Sequence, residues 1–137
     1  MKRWAILTVF LSLLSTLLFA CSNTTTENTN NVQVTLSDFK IESSQTTFDH
    51  NTAYHFTIVN KGALAHEFMI VPPISHSTMP MDDMHKMALA HIENIDVGAT
   101  KTLNFTFPQP APAGKLEFAC HLEGHYASGM HLGIVVT

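Results

Sequence analysis

Basic residues are scarce in this chain. Seven Lys and Arg stand against eleven Asp and Glu in 137 residues. Two of the seven, Lys2 and Arg3, sit at the head of an apolar run that reads as an export signal. Without residues 1–20 the chain keeps 117 residues, five basic and eleven acidic, with a formal charge of −6. Nucleic-acid binding needs a basic face, and this balance excludes it. Cysteine is scarcer still, with only Cys21 and Cys120. If Cys21 is taken up at the amino terminus, as argued next, Cys120 has no intrachain disulfide partner. A lone thiol in an exported protein needs another explanation, and metal ligation supplies one.

Lys2 and Arg3 form a charged start, and Trp4 to Ala20 is an apolar run of 17 residues. That pattern is an export signal. An uncleaved anchor is the alternative, since the run reaches the short limit for a membrane span. The end of the run, Leu18-Phe19-Ala20-Cys21, resembles the bacterial lipoprotein cleavage box. The resemblance implies that Cys21 becomes the lipidated first residue. Residues 21–31 are polar, low in complexity and without periodicity. Such a segment buries too little apolar surface to offset its ordering entropy, so it reads as a disordered tether.

Residues 32–137 alternate apolar and polar residues with period two. Val32, Val34 and Leu36 alternate, and Phe39 and Ile41 follow a break. Tyr54, Phe56 and Ile58 form a second run, Phe68 and Ile70 a third, and Leu103, Phe105 and Phe107 a fourth. Leu116 and Phe118 lead into Cys120, and Leu132 to Val136 closes the chain. Asn60-Lys61-Gly62, Val97-Gly98 and Pro112-Ala113-Gly114 punctuate the runs as turns. Many short strands so punctuated predict an all-β sandwich or barrel with one core. Residues 81–91 are the exception and fit a helix. Asp82 and Asp83 suit its first turn. Met81, Met84, Met87, Ala88 and His91 would share one arc at about 100° per residue.

The stretch from Cys120 to Met130 carries the chemistry. Cys120, His125 and Met130 follow one another at five-residue intervals. Two His and one Cys with a weak axial Met make a blue-copper electron-transfer centre. This stretch holds three of those four donors, and His66 is the candidate for the fourth. Gly124 and Gly129 each precede a donor, where a tight loop needs unusual backbone angles. Thiolate donates strongly to both copper oxidation states, two imidazoles suit Cu(II), and a thioether suits Cu(I). His121 would face away from Cys120 in an extended chain, and it and His131 are read as non-ligands.

With these residues in place the chain resembles the cupredoxins, the small blue-copper proteins. Cys120, His125 and Met130 match that family's last-loop ligands in the variant with four residues in each gap. His66 matches its first ligand. The resemblance spans residues 32–137 and implies a Greek-key β-sandwich holding one type 1 copper at one end. Familiar members often carry Asn after the first His, where it orders the ligand loops; here that residue is Glu67. Multicopper oxidases flank the copper Cys with His and carry paired His. Here Ala119 precedes Cys120 and no His-x-His occurs, so an electron carrier is expected rather than an enzyme.

Residues 76–91 hold seven His or Met in sixteen, against sixteen in 137 for the whole chain. Met fills irregular gaps in a core, so a helix packed on the sandwich is one reading. A second, transient copper site at Met81, Met84, Met87 and His91 is the other. Two functions follow. The first is a monomeric carrier, lipid-anchored at the periplasmic or other extracytoplasmic face, passing single electrons through an exposed edge of His125. Its redox partners would dock transiently on a small patch near Tyr126, Ala127 and proline-rich turns. The second is a periplasmic copper chaperone, buffer or resistance protein.

Overall fold

Apolar residues at every second position fold this chain into strands. The computed structural model describes residues 30–74 and 79–137. The expected export segment, Cys21, most of the expected tether and His76 lie outside them. The described elements are β1 (Asn31–Ser37), β2 (Lys40–Ser43), β3 (Thr47–Phe48), β4 (Ala53–Asn60), β5 (His66–Val71), α1 (Met81–Met87), β6 (Ala90–Ile95), β7 (Thr100–Thr106), β8 (Ala111–Ala119) and β9 (His131–Val136). One sheet has the order β2-β1-β4-β7 and the other β3-β9-β8-β5-β6. β1 runs parallel to β4, and β3 parallel to β9; the other pairs are antiparallel. The first strand opens at Asn31, and the Asn30 carbonyl accepts a bond from His55 N. The ordered domain therefore takes in the last residues of the expected tether.

The alternation becomes burial. Val32, Val34 and Leu36 of β1 and Tyr54, Phe56 and Ile58 of β4 turn inward. They meet Phe68, Ile70, Leu116, Phe118 and Ile134 from the facing sheet. Phe48 sits at the centre, with ring centroids 5.0 Å from Phe107 and 5.8 Å from both Phe56 and Phe118. Rings at these separations add to their area burial.

β5 is buried on both faces. Phe68 and Ile70 face the core. Met69 and Val71 face outward with Ala119 and are covered by Ile74, Met84, Ala88 and Tyr126. Neighbouring residues of a strand point to opposite faces. That alternation governs the function, because it separates His66 from Glu67.

The helix corrects the expectation at its far end. It stops at Met87, and Ala88 is extended, with φ −69° and ψ 136°. Leu89 N donates to Ile70 O at 2.8 Å, so the chain joins β5 as strand β6. His91 therefore lies on a strand opposite Met69, off the helical arc that contains Met81, Met84 and Met87. A sheet edge with free hydrogen-bonding groups outweighs a helical pattern that happens to continue.

Candidate metal centre

β8 ends at Ala119, and the next residue, Cys120, turns into a tight loop that returns at β9. Backbone bonds close that loop. Cys120 N donates to Met130 O at 3.1 Å, and Met130 N donates to His125 O at 3.1 Å. Gly124 and Gly129 take φ of 80° and 100°, values that a side chain disfavours. The loop thus needs glycine just before His125 and just before Met130. His66 enters at the first residue of β5, on the core-facing side.

These elements bring three donors together. The ligating atoms of His66, Cys120 and His125 all lie within 4.8 Å of one another, and all three residues are buried. His66 Nδ1 is 3.2 Å from His125 Nδ1, and Cys120 Sγ is 3.4 Å from the same atom. Met130 is fully buried in the same core cluster as Cys120. His121 turns away, as an extended chain requires, and stacks on Tyr126 with centroids 4.4 Å apart. Tyr126 also stacks on His131 at 4.7 Å and donates to Glu117 at 2.6 Å.

Burial sets the protonation of the group. It pushes the Cys120 thiol up to about 11, so the metal-free thiol is neutral at pH 7. Burial, followed by the charge of His125, lowers the pKa of His66. A buried pocket of one neutral thiol and two imidazoles is a donor set that suits copper. A cation held by these residues would displace the thiol proton and be matched by the resulting Cys120 thiolate.

The supports of this centre escaped the sequence reading. Asp38 accepts from Ala63 N and Leu64 N, and its Oδ1 lies 3.5 Å from His66 Nε2. The Ala63 N–H comes first among the groups holding the Asp38 carboxyl below its ordinary range. A carboxylate behind Nε2 favours the proton there and leaves Nδ1 free for a metal. Asn60 is fully buried; it donates to Leu64 O and Ile95 O and accepts from Gly62 N. Asn60-Lys61-Gly62 read only as a turn, yet it shapes the approach to His66. Glu67 read as a departure from a pattern. Its Oε1 accepts from His121 N at 2.7 Å, so it ties β5 to the loop that carries Cys120.

The other expected sites fare differently. Met84 packs on Met69, Val71 and Ala119, while Met87 is exposed. Met81 lines a cleft beside Glu67 and His85. His125 is 8% exposed, and Phe39 packs edge-on against it at 5.5 Å. The proline-rich turn, with Pro108, Pro110 and Pro112, meets the start of β8. The donor loop leaves the far end of that strand, so this turn cannot belong to a patch around His125.

A family model described as a cupredoxin-like domain matches residues 9–132. The chain belongs to the cupredoxin-like family. Its structure is similar to dithionite-reduced auracyanin from Roseiflexus castenholzii, at 18% identity over 79% of this chain and 97% of that one, TM-score 0.60. It is also similar to rusticyanin from Thiobacillus ferrooxidans, at 21% identity over 79% and 78%, TM-score 0.56. An azurin from Methylomonas sp. strain J aligns at 13% identity over 80% and 98%, TM-score 0.56. These likenesses concern the fold. A search of curated proteins finds no match.

Proposed function

We propose that this cupredoxin carries single electrons outside the cytoplasm, through one type 1 copper held by His66, Cys120, His125 and Met130. The observation that carries the reading is the convergence of three buried donors, two imidazole and one thiol, within 4.8 Å. Copper in such a set supplies a one-electron couple. The protein keeps water away from it and fixes the ring and thiol positions, so little has to move between oxidation states. His125 offers the shortest way out, through its narrow exposed edge. Phe39 and Leu64, 43% and 45% exposed, flank that end and suit a small apolar docking patch. A closed set favours a carrier over a chaperone, which must release its metal.

Cys120→Ser tests the centre. The wild-type Cu(II) protein should show intense visible absorption from thiolate-to-copper charge transfer, and the Ser variant should lose it, since a hydroxyl is a poor soft donor. A variant that keeps the band overturns the ligand assignment. Tethering is a separate part of the proposal and rests on the basic start, the apolar run and Cys21. Mass spectrometry of the mature protein should find a lipidated Cys21, and Cys21→Ala should abolish the modification. A mature amino terminus at any other, unmodified residue refutes the anchor.

A further inference from the structure

A second group of donor atoms converges on the outer side of β5. His66 faces the sandwich interior, so Glu67 faces outward, where α1 presents His85 and β6 presents His91. Glu67 Oε2 lies 3.3 Å from His91 Nε2 and 3.4 Å from His85 Nε2. The Glu67 side chain is only 3% exposed. The two imidazoles lie close together, with centroids 3.8 Å apart and planes tilted by 38°. Behind them Glu93 Oε1 sits 3.3 Å from His85 Nδ1 and 3.8 Å from His91 Nδ1.

Protons alone satisfy this cluster poorly. A neutral imidazole carries one N–H, so two neutral rings cannot donate at all four of these nitrogen–carboxylate approaches. Protonating both rings would set two cations 3.8 Å apart in a largely buried place. His85 Nε2 is buried and makes no hydrogen bond. If each ring keeps its proton on Nδ1, on the Glu93 side, then the two Nε2 atoms and Oε2 are left as ligand atoms, and the ligand atoms of the three residues lie within 4.8 Å of one another. That is how metal-bound His is usually held, with the second nitrogen donating to a carboxylate. The two distances from Glu67 Oε2 also fit. Ligands at about 2.0–2.1 Å from a tetrahedral zinc lie about 3.3–3.4 Å from one another.

We propose that Glu67, His85 and His91 form a second metal site for a borderline divalent ion of the Zn2+ or Cu2+ class, with Glu93 orienting the His85 ring. Two imidazoles and a carboxylate, without sulfur, suit such an ion rather than Cu(I). Glu67 and Glu93 together balance its charge. A cleft of about 310 Å³, lined in part by Met81, His85 and Glu93, leads to the group. The site differs from the thioether cluster expected from sequence, sharing only His91 with it.

Glu67 joins this site to the copper centre. Its Oε2 faces the two histidines and its Oε1 accepts from His121 N, next to Cys120. A cation on Oε2 draws charge from Oε1 and removes negative field beside the thiolate. The oxidised copper state is thereby disfavoured and the reduction potential rises. This coupling rests on the copper reading above; the site itself does not.

The test titrates copper-loaded protein with Zn2+ by calorimetry while the thiolate band is followed. One further equivalent should bind with the band retained. His85→Gln and His91→Gln should each weaken that equivalent at least tenfold and leave the band intact, which also shows that the variants are folded. The combined change of Met81, Met84 and Met87 to Leu should keep it. No second equivalent overturns the site, as does an equivalent indifferent to both histidines or lost with the three methionines. In wild type the copper potential should rise on Zn2+ addition, and in His91→Gln it should not. An unmoved potential overturns the coupling. A wild-type protein without the thiolate band would defeat the copper reading, while the histidine variants would still decide the second site.

Discussion

Gly62 shows how far single residues set this centre. A Cβ there would fall on Asp38 Oδ1 and come within 2.8 Å of His66 Nε2. Neither neighbour moves freely. Asp38 is held by two backbone N–H groups, and His66 has no solvent exposure. Overpacking of this kind costs about 1–3 kcal/mol. Gly62→Ala should therefore lower stability by that amount in urea and speed copper loss to a chelator. A variant within about 0.5 kcal/mol of wild type, the scatter of ordinary surface changes, and with unchanged copper retention would show that the loop yields. At this scale the sequence was informative where chemistry is local. The spacing of Cys120, His125 and Met130 singles out one loop, and a lone thiol demands a partner. Asp38 could not be found that way. Its role depends on the loop around Ala63, 25 positions along, and nothing about an isolated Asp advertises it. Glu67 stood out only as a departure, because a sequence does not show where two carboxylate oxygens point.

Period two carried the strands β1, β4, β7 and β9, since each turns one face inward and shows it as alternation, while β5 and the end of β8, buried on both faces, showed as short apolar runs. β3 has two residues, too few for any period, and exists because Thr47 and Phe48 pair with Val135 and Val136 at the end of β9. The segment 81–91 was legible only in its first part, for a different reason. Met81, Asp82, Asp83 and Met84 do begin a helix, with Asp82 and Asp83 in its first turn. From Leu89 onward the decision belongs to Ile70 and the open edge of β5, which local pattern cannot report. The error had a functional consequence. Placed on the helical arc, His91 seemed to join the methionines. Placed on β6, it meets Glu67 and His85. The end-to-end polarity of β8 likewise explains why the proline turn belongs to one end of the sandwich and the donor loop to the other.

At the scale of the whole molecule, the metal-free protein carries titratable groups buried inside its core, and they should govern its response to pH. Burial lowers the pKa of His66 from the ordinary 6.5. The unfolded chain therefore takes up this proton more readily, and the associated stability, present above the unfolded value, is lost as pH falls through the folded one. Burial raises the Cys120 thiol from 9.0 to about 11. Its contribution is complete below pH 9.0 and is lost as pH rises toward about 11, because the unfolded thiol ionises first. The metal-free protein should be most stable between these limits and should weaken on both sides. Copper should change the acid side: if His66 Nδ1 holds it as proposed, a proton would have to displace the metal before binding there. Urea midpoints measured from pH 5 to 10 on both forms check this. The metal-free midpoint should fall below about pH 6.5 and again above pH 9, and the copper-loaded midpoint should hold to lower pH. Equal acid slopes in the two forms would mean that His66 does not bind the metal, and a flat metal-free profile would mean that its burial carries no energetic weight.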